Sequence, residues 1–341
     1  MTDLTVTAHG WDDFLREGET PAHPGLAKPG SARRRERLRR RGAASLSWLT
    51  RNLHRFAPWQ DGRPADARLK AFAELSILYA YLEQWQGQPF AAALSLAKTL
   101  PAWRAFLTGQ CEHRPYAEMA RKHPAQAYAF LLPYLMLRAT GYRSPYHEDT
   151  FERLRHWGYP EATEAVPYRQ LERRYILWKS GYLPHEPSWL RLYRDTVLAR
   201  SRSPVHLDQD AAYSVTHTLF YLTDMGNRPA PFEAREVDRV TGLVECLLVH
   251  YWRLAHWDLV GELLVCLNCL HKWDSDLDAQ AAKGFLRAWR SDGAVPAERR
   301  AAEETRAACG AGQEERAFRE CYHTTLVGVF YCCTGLNEIW R

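Results

Sequence analysis

The sequence predicts an all-α chain, an (α/α)6 toroid in which six outer–inner helical hairpins close into a barrel. Three observations predict it. From about Ala44 onward apolar residues recur at three- and four-residue intervals, with no sustained period-two alternation. Several long apolar runs stop at a glycine that a proline soon follows: Gly87 before Pro89, Gly141 before Pro145, Gly181 before Pro184 and Gly226 before Pro229. Glycine supplies the left-handed residue that closes a helix, and the proline prevents its resumption. Finally, the second run of each pair is apolar on nearly every face, as in AYAFLLPYLML (127–137), SVTHTLFYL (214–222) and LLVCLNCL (263–270), whereas the first carries charge on one face. Helices apolar all round belong inside.

Taken in order, residues 1–43 read as a weakly ordered basic leader, in which Pro21, Pro24, Gly25, Pro29 and Gly30 precede the run RRRERLRRR at 33–41. A single domain, 44–341, comes next. Its hairpins pair 44–56 with 67–86, 89–108 with 124–140, 149–157 with 167–180, 188–200 with 209–225, 233–254 with 257–271, and 277–290 with 316–334. The last stop, Gly335, has no following proline, and the long interval from Gly226 holds two units. Closure is expected over an open solenoid because these inner helices are too apolar to line an exposed groove and the units vary in length.

The 341 residues, 46% hydrophobic, supply ample core material. No segment approaches the roughly 20 apolar residues of a membrane span, and Met1 to Glu17 does not read as a secretory signal. Eight cysteines without a small-domain spacing point to reduced thiols and a cytoplasmic location. The net charge of +5 is local: the 33–41 run carries +6, which leaves the rest of the chain at −1. A nearly neutral body is not built to track a phosphate backbone, so no nucleic-acid partner and no membrane are expected. The arginine run reads as a solvated linker or a helix start. Nothing in the sequence sets the oligomeric state.

Counting back from the stops aligns the inner helices. Thirteen residues before them stand Tyr128, Tyr168, Tyr213 and Tyr322, and nine before them Leu132, Glu172, His217 and Leu326, with Leu78 in the first unit. If His271 serves as the stop of the fifth unit, the corresponding residues there are Asp258 and Glu262. Glu172, His217 and Glu262 then fall at one depth on three consecutive inner helices, with Asp258 one turn from Glu262. Carboxylates beside an imidazole in an apolar cavity shift one another's pKa, as proton transfer near neutral pH requires. His217 is the expected acid–base residue, with Glu262 and Asp258 orienting it or sharing its proton and His323 as a second acid–base group. His323 is about 100° round its helix from Tyr322, so the two are not expected to face the axis together. Tyr213, Glu172, Asp224 and Tyr322 are the candidate substrate contacts. Asp224 sits at a helix C-terminus, where the dipole opposes its charge. The alternative for Glu172, His217 and Glu262 is ion pairing with Arg169, Arg173 or Arg174 as buried structure.

No cofactor is evident, and a divalent metal has two possible donor sets: Glu172, His217 and Glu262, or Cys266, Cys269 and His323. The two thiols lie mid-helix, whereas structural zinc pairs usually sit on a knuckle turn. The aspartates of DSDLD (274–278) read as a helix start. No phosphate loop, dinucleotide fingerprint, nucleophile elbow or HExxH is present.

The segments Thr216-His217-Thr218-Leu219-Phe220-Tyr221-Leu222-Thr223-Asp224-Met225-Gly226, His256-Trp257-Asp258-Leu259 and Tyr322-His323-Thr324-Thr325 resemble an uncharacterised all-helical family of actinobacteria, often encoded near natural-product biosynthetic genes. The resemblance covers roughly residues 45–341. It implies a biosynthetic tailoring role without naming a reaction. The architecture is similar to that of terpenoid-cyclase-like toroids, which argues for a cavity and supplies no chemistry; toroid lanthionine cyclases hold zinc through two Cys and one His, which is what the second donor set would match. The expected function is a tailoring enzyme that isomerises, eliminates or cyclises an apolar or aromatic small molecule, or a modified peptide. The alternatives are a non-catalytic helical scaffold or peptide-binding protein, and an (α/α)6 carbohydrate enzyme using Glu172 with Glu262.

Overall fold

A computed structural model describes residues 30–60, 62–64, 66–159, 161–272, 275–298 and 312–337. The chain divides into a short unit, Met1–Arg34, and a main unit, Arg35–Arg341. Among the described residues the main unit is predominantly helical, with one hairpin of two-residue strands, β1 (Trp59–Gln60) and β2 (Arg63–Pro64). The helices are α1 (Gly30–Arg51), α2 (Asp66–Gln84), α3 (Leu96–Glu112), α4 (Arg114–Ala117), α5 (Met119–Lys122), α6 (Ala127–Ala139), α7 (Pro145–His156) and α8 (Pro167–Lys179). After them come α9 (Trp189–Arg194), α10 (Val197–Arg200), α11 (Gln209–Leu222), α12 (Ala234–Arg253), α13 (Trp257–Cys269), α14 (Asp276–Ala288) and α15 (Gly312–Leu336).

Local chemistry explains the boundaries. Prolines open α7 and α8, where the missing N–H has no partner to lose. Side chains of Thr196, Asp208, His256 and Ser275 accept backbone N–H bonds at the starts of α10, α11, α13 and α14. Ser275 so caps a helix whose first turn carries Asp276 and Asp278, while Asp274 lies outside the described residues. The expected outer helix 188–200 is broken in two because Thr196 caps a new turn. The stretch expected to be helical from 89 runs as turns until Leu96. Gly141, Gly181 and Gly226 adopt φ of 92°, 78° and 79°, the left-handed stops that their sequence setting predicts. His271, with φ of 56°, takes the same role at the end of α13. Gly87 instead closes a 3-10 turn, and Gly335 lies inside α15.

The arginine run differs from the leader expected there. It is helical back to Gly30, and Leu38 within it is fully buried. Arginine is a good helix former whose long stem can lie along apolar surface while its head stays in water. Close approach fixes the same helix: a Cβ at Gly42 would meet Leu94 Cδ2 at 3.0 Å and Cys332 Cβ at 3.1 Å. The part of the expected leader at residues 1–29 lies outside the described residues.

The apolar helices pack in cyclic order: α2 on α6, α6 on α8, α8 on α11, α11 on α13, α13 on α15, and α15 back on α2. The more polar helices lie against them, α3 on α2 and α6, α9 on α8, α10 on α11, α12 on α13, and α14 on both α12 and α13. Every residue of α13 from Asp258 to Cys269 is buried, whereas α12 and α14 bury one stripe. No helix among the described residues is long and apolar enough to cross a membrane.

Candidate functional site

A cavity of about 1130 Å³ lies among the six apolar helices, and each contributes to its wall. Of the row nine residues before the stops, Leu132, Glu172, His217, Glu262 and Leu326 line it, whereas Leu78 does not.

Asp258 stands in the first turn of α13, where its own N–H bonds Ala297 O at 3.1 Å. Its Oδ1 accepts from Thr324 Oγ1 at 2.8 Å and its Oδ2 from the Tyr213 hydroxyl at 2.7 Å. One turn on, Glu262 Oε2 accepts from Thr216 Oγ1 at 2.5 Å. Its Oε1 stands 3.5 Å from His323 Nε2 and 3.7 Å from His217 Nε2. His323 Nε2 is also 3.4 Å from Asp258 Oδ2, and its Nδ1 is 3.0 Å from Glu74 Oε2. One imidazole therefore touches three carboxylates brought by α2 and α13.

The charge states follow from competition. Burial alone would lower the His323 imidazole, but Asp258, Glu74 and Glu262 override it and raise it well above its ordinary value. Burial alone would raise Glu262; His217 and His323 override it and hold the carboxyl far below the usual range. Glu74 is likewise held down, against its own burial, chiefly by His323. The cluster is thus an imidazolium clamped between carboxylates. Burial first, then Asp258 and Glu262, push the Tyr213 hydroxyl up, and burial with Glu74 does the same to Tyr322.

His217 stands in an aromatic collar, its ring 6.0 Å from Tyr168, 6.2 Å from Tyr213 and 5.9 Å from Phe220 between centroids. Its Nδ1 is buried without a hydrogen-bond partner. Tyr322 and His323, expected to exclude one another, both line the cavity. The cavity wraps around α15 widely enough to take a 100° sector, with Tyr322 and His323 both directed to Glu74.

The remaining candidates are arranged differently. Glu172 is 2.5 Å from Arg169 Nη1, so it is taken up by an ion pair within α8. Asp224 does not line the cavity; it is buried against Lys179 Nζ at 2.6 Å. Among the described residues, the group of side chains whose donor atoms could hold a metal is Asp258, Glu262 and His323, all within 4.8 Å of one another. Glu172 and His217 do not join it, and neither do Cys266 and Cys269. Both thiols are fully buried on α13; burial raises Cys266 well above its ordinary value and pushes Cys269 up to about 12, so they stay protonated.

Glu74, Thr216 and Thr324 complete the site and were not among the candidate site residues read from the sequence. Glu74 offered a signal, thirteen residues before Gly87 in the row of Tyr128, Tyr168, Tyr213 and Tyr322. It also reads as the partner of Lys70 one turn before it, a pair that does form at 3.6 Å. The threonines offered a signal, since each adjoins a site histidine in the chain.

The chain belongs to the family described as Domain of unknown function (DUF6895), whose model matches residues 42–333. Comparison with curated proteins and with solved structures finds no match.

Proposed function

We propose that the chain is a biosynthetic tailoring enzyme of specialised metabolism, an (α/α)6 toroid that holds an apolar or aromatic small molecule, or a modified peptide, and moves a proton on it in an isomerisation, elimination or cyclisation. The observation that carries this reading is that two histidines from two inner helices, His217 on α11 and His323 on α15, approach one buried carboxylate oxygen, Glu262 Oε1, at the wall of a cavity. His323, kept as imidazolium by Glu74, Asp258 and Glu262, serves as proton donor. His217, with Glu262 behind it, serves as acceptor. A donor and an acceptor on one cavity wall are what proton relocation on a bound molecule needs. The cyclic packing of the six apolar helices supports closure. Unpaired buried thiols agree with a cytoplasmic setting.

The test uses extract from a strain lacking the gene, incubated with purified protein in deuterium oxide. The wild type should convert one metabolite with uptake of solvent deuterium, and His217→Asn and Glu262→Gln, folded by circular dichroism, should slow conversion by about 100-fold or more. Unchanged conversion by both variants, or restoration of the deletion strain by His217→Asn, overturns catalysis and leaves a scaffold. A divalent ion on Asp258, Glu262 and His323 would displace the His323 proton, and elemental analysis for zinc, iron and manganese distinguishes the two occupants.

A further inference from the structure

Behind Tyr81, which lines the cavity, runs a chain of hydrogen bonds that the acid–base group does not use. The Tyr81 and Tyr175 hydroxyls are 2.5 Å apart, and the Tyr175 hydroxyl also meets Asp224 Oδ1. Lys179 Nζ stands 2.6 Å and 2.9 Å from the two Asp224 oxygens. Gln84 accepts from Lys179 at 2.7 Å through Oε1 and donates to Asp224 at 3.4 Å through Nε2.

The direction of each proton is determined by what the groups can offer. A carboxylate paired with an ammonium has only lone pairs, so Tyr175 must donate to Asp224. A phenol has one proton, so Tyr175 can only accept from Tyr81. The proton of Tyr81 is then committed, and its oxygen has lone pairs alone left for any other partner. A phenol free to rotate could either give or take a hydrogen bond; this one can only take.

The backbone is shaped to the same end. Asp224, Met225 and Gly226 follow one another at φ of 47°, 54° and 79°. Two successive non-glycine residues in the left-handed region cost about 1–3 kcal/mol each. They are held by Asn227 Nδ2 donating to Asp224 O at 2.7 Å and by Trp85 Nε1 donating to Asn227 Oδ1 at 2.6 Å. The turn presents Asp224 to Tyr175 and brings Met225 into the cavity wall.

We propose that Tyr81 is the cavity's hydrogen-bond acceptor for a hydroxyl or N–H group of the guest, and that Tyr175, Asp224 and Lys179 are positioning residues that hold its proton away. The proposal rests on reading the cavity as the guest site, and it narrows the substrate class to apolar or aromatic molecules that carry a phenol, alcohol or amine N–H. Two probes test it on the full chain by calorimetry: 2-naphthol, which can donate, and 2-methoxynaphthalene, which can only accept. The wild type should bind the naphthol about fivefold more tightly, the size of one neutral hydrogen bond. Tyr81→Phe, which keeps the Tyr175–Asp224 bond, should bring the ratio near one. Tyr175→Phe frees the Tyr81 proton, so the methoxy compound should gain and the ratio fall. Equal binding by the wild type, or a preference that survives both substitutions, overturns the proposal. If neither probe binds, the cavity reading fails and this one with it.

Discussion

Replacing His323 by glutamine removes the one group that touches Glu74, Asp258 and Glu262 together. Its nitrogens stand 3.0 to 3.5 Å from their oxygens, and the Glu262 side chain is 2% exposed. At an effective dielectric of about 20, one unit-charge pair at that range attracts by roughly 5 kcal/mol before solvation is counted. Breaking a buried pair by removing one member costs about 3–5 kcal/mol, because the other charge is left stranded. A loss of that size is expected near pH 6, read as the shift of the urea unfolding transition followed by tryptophan fluorescence. The sign of the pH dependence is fixed. A raised imidazole contributes stability that is whole below its unfolded value of 6.5 and fades as pH climbs through the folded one. Depressed carboxyls contribute above their unfolded value of 4.5 and lose that contribution as pH falls. The gap between wild type and variant should therefore be widest between those two values and narrow on either side. A loss below about 1 kcal/mol at pH 6, or the same loss at pH 3.5, refutes the clamped imidazolium.

Two other sites give independent outcomes. Burial holds the His147 imidazole, stacked 4.5 Å from Tyr134, down at about 4. Above pH 6.5 it is neutral folded or unfolded; below, the unfolded chain binds a proton the fold refuses, so stability drops by about 3 kcal/mol as pH approaches 4. His147→Phe should flatten that limb in urea titrations from pH 7 to 4, and an unchanged slope would count against the burial argument. At Gly261 an added Cβ would lie 2.6 Å from Phe285 Cζ and 2.8 Å from Val327 Cγ1. Gly261→Ala should lower the thermal midpoint through overpacking of about 1–3 kcal/mol, and a midpoint at or above that of the wild type would show that the junction of α13, α14 and α15 has slack.

Much of the fold was legible because helix ends are written locally. Gly141, Gly181 and Gly226 mark theirs through a left-handed residue, and the same spacing located His217 and Glu262 on one wall. His271 shows the limit of the rule: a histidine can occupy the left-handed position, and only the count from neighbouring units suggested it. The arginine run was legible as a helix start but its depth was not, because charge density reads as solvation while a single leucine within it reaches the core. Glu74 was within reach of the same count, thirteen residues before Gly87, but its role was not. Its decisive partner, His323, is 249 residues away, and no local pattern records which helix closes on which. The same holds for Asp224, whose awkward place at a helix end was visible but whose counter-ion, Lys179, was not.

Because α15 is the helix that returns to α2, translation order matters to the site. Glu74, Asp258 and Glu262 all leave the ribosome before the His323 imidazole they share, and α13 emerges with a largely apolar surface awaiting its last neighbour. A nascent chain that pauses after α14 holds these acids without the partner they share and leaves an open seam, the kind of exposed surface that chaperones bind and that aggregates when they do not. The segment that completes the cluster of acids and imidazole is thus also the one that joins α13 to α2.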